Sequence, residues 1–155
     1  MIHVVFVCLG NICRSPMAEA VFRHLVKERG YEKKIKVDSA GTSNWHINKR
    51  PHIGTLDKLE KYNISSENMY ARQFRKEDGK AFDYIVAMDQ SNYDNIVSVL
   101  DPDDCSHVFK LLDLTEVENK DVPDPYYTGD FEETYQLVLD GSERLLAKII
   151  KEHQL

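Results

Sequence analysis

His3-Val4-Val5-Phe6-Val7-Cys8 is β-branched and apolar without alternation, the pattern of a strand buried on both faces, as in a parallel sheet. Leu9-Gly10-Asn11-Ile12-Cys13-Arg14 follows as a short loop, and then the period changes. Ala18, Val21, Phe22, Leu25 and Val26 recur at helical spacing, with Ser15 suited to the N-cap, Pro16 to the first helical position and Gly30 to the stop. Strand, loop and helix in that succession open a βαβ unit.

Outward from that unit the alternation continues. Lys36 to Ser39 reads as a second strand, with turn-forming Ala40-Gly41-Thr42-Ser43-Asn44 behind it. A helix is expected from Pro51 through Lys61 and a third buried strand from Phe82 to Met88. Asp89 or Ser91 caps a helix to about Leu100, Val108 to Leu111 gives a fourth strand, and Phe131 to Lys151 a long amphipathic helix. Strands alternating with helices imply an α/β fold, a parallel sheet with helices on both faces. Ligands in such folds sit beyond the carboxyl ends of the strands, where the strand order reverses. No linker or repeat divides the chain, so residues 1–155 are read as one domain.

The whole chain has 155 residues, 42% of them hydrophobic and 30% charged, which fits an ordinary globular domain. With a net charge of −6 and no dense Lys/Arg run, nucleic-acid binding is disfavoured, and an anionic ligand must be captured locally. The apolar run Ile2 to Leu9 is far too short to span a membrane and lacks the flanks of a signal peptide, so no membrane association and a cytoplasmic location are expected. Cys8, Cys13 and Cys105 are an odd set that suits a reducing compartment with a reactive thiol rather than a disulfide framework. Neither C-x-x-C nor a histidine pair at zinc spacing accompanies them, so neither a metal nor a cofactor is expected.

The loop from Cys8 to Arg14 must curl around a small volume between a strand end and a helix start. Backbone N–H groups from Leu9 through Ser15 then converge as an anion nest, and the helix N-terminus adds about half a positive charge. A phosphate-sized oxyanion fits such a nest. Arg14 offers two of its oxygens a planar fork that lysine cannot match, and the same positive field favours a thiolate at Cys8, a nucleophile facing phosphorus. Gly10 permits close approach or a positive φ, and Asn11 tolerates a left-handed backbone. Ser15 can donate its hydroxyl to the Cys8 sulfur. Expelling a phenolate from such an intermediate needs an acid, because a phenol of pKa about 10 leaves faster when protonated. Asp124, stiffened between Pro123 and Pro125, is the candidate, and that carboxylate argues against a phosphoryl carrier or a mere phosphotyrosine-binding module, neither of which gains from it.

Val7-Cys8-Leu9-Gly10-Asn11-Ile12-Cys13-Arg14-Ser15-Pro16 and Asp124-Pro125-Tyr126-Tyr127 resemble the two signatures of the low-molecular-weight protein tyrosine phosphatases, and Asp38-Ser39-Ala40-Gly41-Thr42, Ala87-Met88-Asp89-Gln90-Ser91-Asn92 and Ala71-Arg72-Gln73 match further segments of that family. The resemblance is to bacterial-type members and covers nearly the whole chain. It implies a single domain with a four-stranded parallel sheet, tyrosine-phosphorylated proteins as substrates and a cysteinyl-phosphate intermediate without metal. By position it makes Cys8 the nucleophile, Arg14 the phosphate clamp and Asp124 the acid that later acts as base. It also implies that Asn11 and Ser39 hydrogen-bond to fix the loop, and that Cys13 is a redox partner able to trap oxidised Cys8 as a disulfide. Oligomeric state is left open, with a monomer expected.

Ile12, Trp45, Tyr126 and Tyr127 are expected to wall the pocket and favour an aryl phosphate. Relatives acting on phosphoarginine resemble this loop but usually carry threonine where Ile12 stands, and they lack the paired tyrosines. Arsenate reductases of similar loop need further cysteines after Met88, where this chain has Asp89, Gln90, Ser91 and Asn92. Both stay as alternatives of the same fold. The family pattern sometimes places a histidine before Ala71-Arg72-Gln73, where this chain has Glu67, Asn68, Met69 and Tyr70.

Overall fold

The computed structural model describes residues 1–155. Four strands, β1 (Ile2–Cys8), β2 (Ile35–Gly41), β3 (Tyr84–Ala87) and β4 (Val108–Lys110), form one sheet in the order β2-β1-β3-β4, and every pairing is parallel. Six helices accompany them: α1 (Arg14–Glu28), α2 (Ile53–Lys61), α3 (Asp78–Ala81), α4 (Gln90–Val99), α5 (Pro125–Thr128) and α6 (Phe131–His153).

The apolar run of β1 is continuous because both faces of the sheet are covered. Val4, Phe6 and Cys8 point into the larger core with Phe22, Leu145, Leu146 and Ile149 of α1 and α6, while Val5 and Val7 point into a smaller one with Ile96, Leu100 and Phe74. From β1 the chain moves to β2 on one side, then crosses back to β3 on the other. The order therefore reverses at β1, and its carboxyl end opens into the crevice where a ligand is expected.

Boundaries differ from expectation where side chains find better partners. The first helix begins at Arg14 with Cys13 at the N-cap position and no side-chain cap, so Ser15 is not the cap and Pro16 is the third helical residue, within the first turn, where an absent N–H costs nothing. The Ser15 hydroxyl is committed to the loop instead. The second strand runs Ile35–Gly41, taking in Ala40 and Gly41 from the expected turn, because all seven of its residues pair with β1. The Pro51 helix starts at Ile53, capped by the His52 ring, which accepts from the Gly54 N–H. Asp89 is the α4 cap and accepts from the Asn92 N–H at 2.7 Å. The third and fourth strands are shorter than expected, Leu111 turns into a 3-10 segment, and α6 continues to His153. The short helices α3 and α5 were not foreseen, having too few residues for a period to declare itself.

Candidate active site

The loop after β1 is held from outside by its carbonyls. Those of Cys8 and Leu9 accept from the Thr42 and Ser43 N–H groups, each at 2.9 Å, and that of Ile12 accepts from the His52 N–H at 2.7 Å. The Cys13 carbonyl takes the Thr55 hydroxyl at 3.0 Å. By contrast, none of the N–H groups of Leu9, Gly10, Asn11, Ile12 or Cys13 donates to another backbone group. Carbonyls spoken for and amides free is the polarity of an anion nest. Gly41 lets the loop lie this close to β2: a Cβ there would stand 2.9 Å from the Leu9 carbonyl oxygen and 3.1 Å from the Gly10 carbonyl carbon.

Asn11 is the residue at positive φ, 57°, while Gly10 keeps a negative φ and is small because the His46 ring lies against it, 3.0 Å from where a Cβ would be. The Asn11 side chain is tied on three sides. Its amide donates to the hydroxyls of Ser15 (2.8 Å) and Ser39 (2.9 Å), and its carbonyl accepts from the Arg72 N–H (3.0 Å). The Ser15 Oγ lies 3.0 Å from the Cys8 Sγ, and Ser39 donates to the buried Glu19 carboxylate at 2.5 Å. Burial raises the Glu19 carboxyl above its ordinary range against the opposing pull of Ser39 and Arg23.

Arg14 is 2% exposed. Its Nη1 donates to Asp89 Oδ2 at 2.7 Å and to the Val122 carbonyl at 3.0 Å, and its Nη2 lies 3.4 Å from Asp124 Oδ2. The buried Nε is left without a partner, a donor available to an anion in the loop. Burial opposes the charge, but Cys8, Asp89 and Asp124 outweigh it and hold the guanidinium above its ordinary value. Asp124 caps α5, accepting from the Tyr126 N–H at 3.1 Å. The base of its loop is stitched down: Asp121 accepts from the Gln90 N–H and from Lys110 Nζ, and the Val122 N–H donates to the Met88 carbonyl.

Between loop and acid lies a cavity of about 230 Å³ lined by Cys8, Leu9, Gly10, Ile12, Cys13, Trp45, His46, Asp124, Tyr126 and Tyr127. Every wall residue expected from the sequence is there. Trp45, Tyr126 and Tyr127 are 64%, 53% and 74% exposed, so they form a rim open to solvent, while Cys8 and Cys13 are buried at its inner end. Burial pushes the Cys13 thiol up to about 12, with the charges of Cys8 and Asp124 adding to the effect and Arg14 opposing it.

Sequence reasoning missed four contributors. Asp89 was legible as a cap but not as the ion-pair partner of Arg14, which is 75 residues away. Glu19 carried a signal, a carboxylate in the apolar run Met17-Ala18-Glu19-Ala20-Val21, that calls for a buried partner. His46 enters the cavity wall, and His52 backs it, stacking on Phe131 at 5.1 Å and meeting Tyr126 edge-on at 5.9 Å.

A parallel α/β sheet whose first loop presents a buried thiol, an anion nest, an arginine and a facing carboxylate defines the class of cysteine-dependent phosphatases. The comparisons narrow the class. The model of the low molecular weight phosphotyrosine protein phosphatase family matches residues 3–155, and the chain belongs to that family. It is 54% identical, over the full length of both chains, to the low molecular weight protein-tyrosine-phosphatase YfkJ of Bacillus subtilis, whose crystal structure superposes with a TM-score of 0.96 over 98% of this chain and 96% of that one. It is 49% identical to the protein-tyrosine-phosphatase PtpA of Staphylococcus aureus over all of this chain and 98% of that one. A solved Drosophila arginine phosphatase shares the fold at 33% identity and a TM-score of 0.86, over 94% of this chain and 96% of that one.

Proposed function

We propose that the chain hydrolyses phosphotyrosine in proteins by way of a phosphocysteine at Cys8. The observation that carries this reading is that Cys8 and Asp124 line one cavity while Arg14, buried beside both, keeps an unpaired Nε. The free N–H groups of the loop and the Arg14 fork take the nonbridging oxygens of the bound phosphoryl group. The Cys8 thiolate attacks phosphorus, the bond to the phenolic oxygen breaks, and Asp124 gives that oxygen its proton. Asp124, now ionised, takes a proton from water as the water attacks the phosphocysteine, which releases phosphate and restores the thiolate. Donation from Ser15 Oγ to Sγ at 3.0 Å stabilises the departing sulfur in that second step. The aromatic rim favours an aryl ester, in keeping with the names of the YfkJ and PtpA relatives.

The test is hydrolysis of para-nitrophenyl phosphate in EDTA by wild type, Cys8→Ser and Asp124→Ala. Turnover is expected to vanish in the first and to fall by a factor on the order of 10² to 10⁴ in the second; full activity in Cys8→Ser overturns the reading. Phosphotyrosine, phosphoarginine and phosphoserine peptides compared side by side decide the substrate, and faster phosphoarginine turnover would align the chain with its arginine phosphatase neighbour.

Cys13 lines the same cavity as Cys8, which supports a protective role. Oxidation of Cys8 to the sulfenic acid, followed by attack of Cys13 sulfur with loss of water, leaves a disulfide that a thiol reductant reopens. Burial and the Cys8 charge hold Cys13 protonated; oxidation of Cys8 to the neutral sulfenic acid removes that charge, so the Cys13 proton is more readily given up as its sulfur attacks and water leaves. Activity after peroxide should return with dithiothreitol in wild type and stay lost in Cys13→Ala; equal recovery in both removes the role.

A further inference from the structure

Beside the candidate active site lies a second cavity that no part of the reaction above uses. It has a volume of about 230 Å³ and is bounded by Leu9, by Thr42 and Ser43 behind β2, by Gln73 and Phe74, and by Asn95, Ser98 and Val99 of α4. Leu9 also lines the first cavity, so one residue of the phosphate loop forms the partition between them. Spaced three and four apart, Asn95, Ser98 and Val99 present a single stripe of α4 to this space.

The lining is uncharged but mixed: Leu9, Phe74 and Val99 give it apolar surface, and the other residues are neutral and polar. In a chain with 30% charged residues, no charged side chain borders this cavity, while Thr42, Ser43, Gln73, Asn95 and Ser98 all carry neutral hydrogen-bonding groups. The Thr42 hydroxyl oxygen is buried and has no hydrogen-bond partner. Gln73 spends one amide proton on the Thr42 carbonyl at 3.3 Å, and Ser98 donates to the Asn95 carbonyl at 2.8 Å, which leaves the Ser98 oxygen, the Gln73 carbonyl and the exposed Asn95 amide to face a ligand. A charged group entering here would lose water without gaining a counter-charge, and a purely apolar one would cover the Ser98 oxygen, the Gln73 carbonyl and the Asn95 amide without pairing them.

We propose that this cavity is a substrate subsite that takes a neutral hydrogen-bonding side chain, of the asparagine, glutamine, serine or threonine class, one or two residues from the phosphotyrosine. The proposal rests on the phosphotyrosine reading of the first cavity. The distance is compatible, since two extended residues span about 7 Å and the two cavities share a wall. Discrimination arises because the hydrogen-bonding groups in the lining reject a residue that leaves them unpaired more strongly than the apolar part of the lining rejects a methylene.

The experiment compares kcat/KM for phosphotyrosine peptides that carry asparagine, glutamine, leucine, glutamate or lysine at each of the two positions on either side, with free phosphotyrosine and para-nitrophenyl phosphate as substrates too small to reach the subsite. At one position the neutral polar residues should exceed leucine and glutamate by about 5- to 50-fold, mostly in KM. The double variant Asn95→Leu/Ser98→Leu, at two exposed helix positions, should flatten that preference while both small substrates are turned over at the wild-type rate. A flat profile in wild type, or a preference that survives the double variant, overturns the subsite while the small substrates continue to report a working phosphatase. Failure to hydrolyse free phosphotyrosine when para-nitrophenyl phosphate is still cleaved overturns the phosphotyrosine reading itself, and the subsite with it.

Discussion

The phosphate loop and the aromatic rim belong to one cavity but are built in opposite ways. From Cys8 to Ser15 the loop is mostly buried and cross-braced: its carbonyls are bound by Thr42, Ser43, His52 and Thr55, and Asn11 is tied to Ser15, Ser39 and Arg72. The rim of Trp45, Tyr126 and Tyr127 is largely exposed, and its tyrosines are steadied by aromatic edges, with Tyr126 and Tyr127 meeting at 5.4 Å and 75°. A group that must hold developing charge needs fixed dipoles, since reorganisation during the reaction would forfeit their benefit. Groups that choose among ring-bearing ligands need area and can tolerate motion. Substitutions in the loop should therefore act on kcat, and those behind the rim on KM.

Arg14→Lys is the sharpest test of the loop half. Lysine keeps the charge but loses the fork, and with it the paired contacts to Asp89 and Val122 that also anchor the acid loop. A fall in kcat of about 10² to 10³ is expected, the scale for losing one oriented donor to a developing oxyanion. A kcat within tenfold of wild type would mean that charge alone suffices and that the braced geometry is not used.

The buried end of the cavity makes a second, smaller prediction. The Cys13 thiol ordinarily ionises near 9.0 but is held at about 12 in the fold, so above pH 9 the unfolded chain releases a proton that the folded chain retains. Stability contributed by Cys13 is thus complete below about pH 9 and is lost progressively as pH rises from 9 toward 12. In urea melts, Cys13→Ala should lose less stability than wild type between pH 8 and pH 10. Parallel decline of the two would show that Cys13 is not desolvated in solution.

How much of this was legible beforehand follows the range of each interaction. The strand, the loop and the helix that carry Cys8 and Arg14 are adjacent in sequence, so periodicity and turn chemistry located them, while the flanking prolines and the need for an acid pointed to Asp124 and the resemblance agreed. The cap at Ser15 was misread because a hydroxyl beside a helix start has two uses, and here the Cys8 sulfur and Asn11 claim it. Gly41 looked like a turn residue. Its reason is contact with the Leu9 carbonyl across the β1–β2 pairing, which no local pattern records. Asp89 escaped for the same cause, since Arg14 is brought near it only when the sheet forms, and so did the Ser39 contact of Glu19, whose other partner, Arg23, lies on the same helix.

His52 tests the rim half with the smallest expected effect and separates two functions of one side chain. Its Nδ1 accepts from the Gly54 N–H at 3.0 Å and caps α2, while its ring lies between Phe131 and Tyr126. His52→Ala removes both functions and should cost about 1 kcal/mol of stability for the cap and about 0.5 to 1.5 kcal/mol for each aromatic pair. His52→Asn restores a capping oxygen but no ring, so it should recover the cap portion of stability in urea melts while KM for phosphotyrosine stays raised several-fold, with kcat within a factor of about two. The contrast holds because the His52 main chain, not its ring, donates to the loop through the 2.7 Å bond to Ile12, and that bond survives either substitution. If kcat fell as far as in Arg14→Lys, the rim would be part of the braced machinery, and the division between a rigid loop and an adaptable wall would fail.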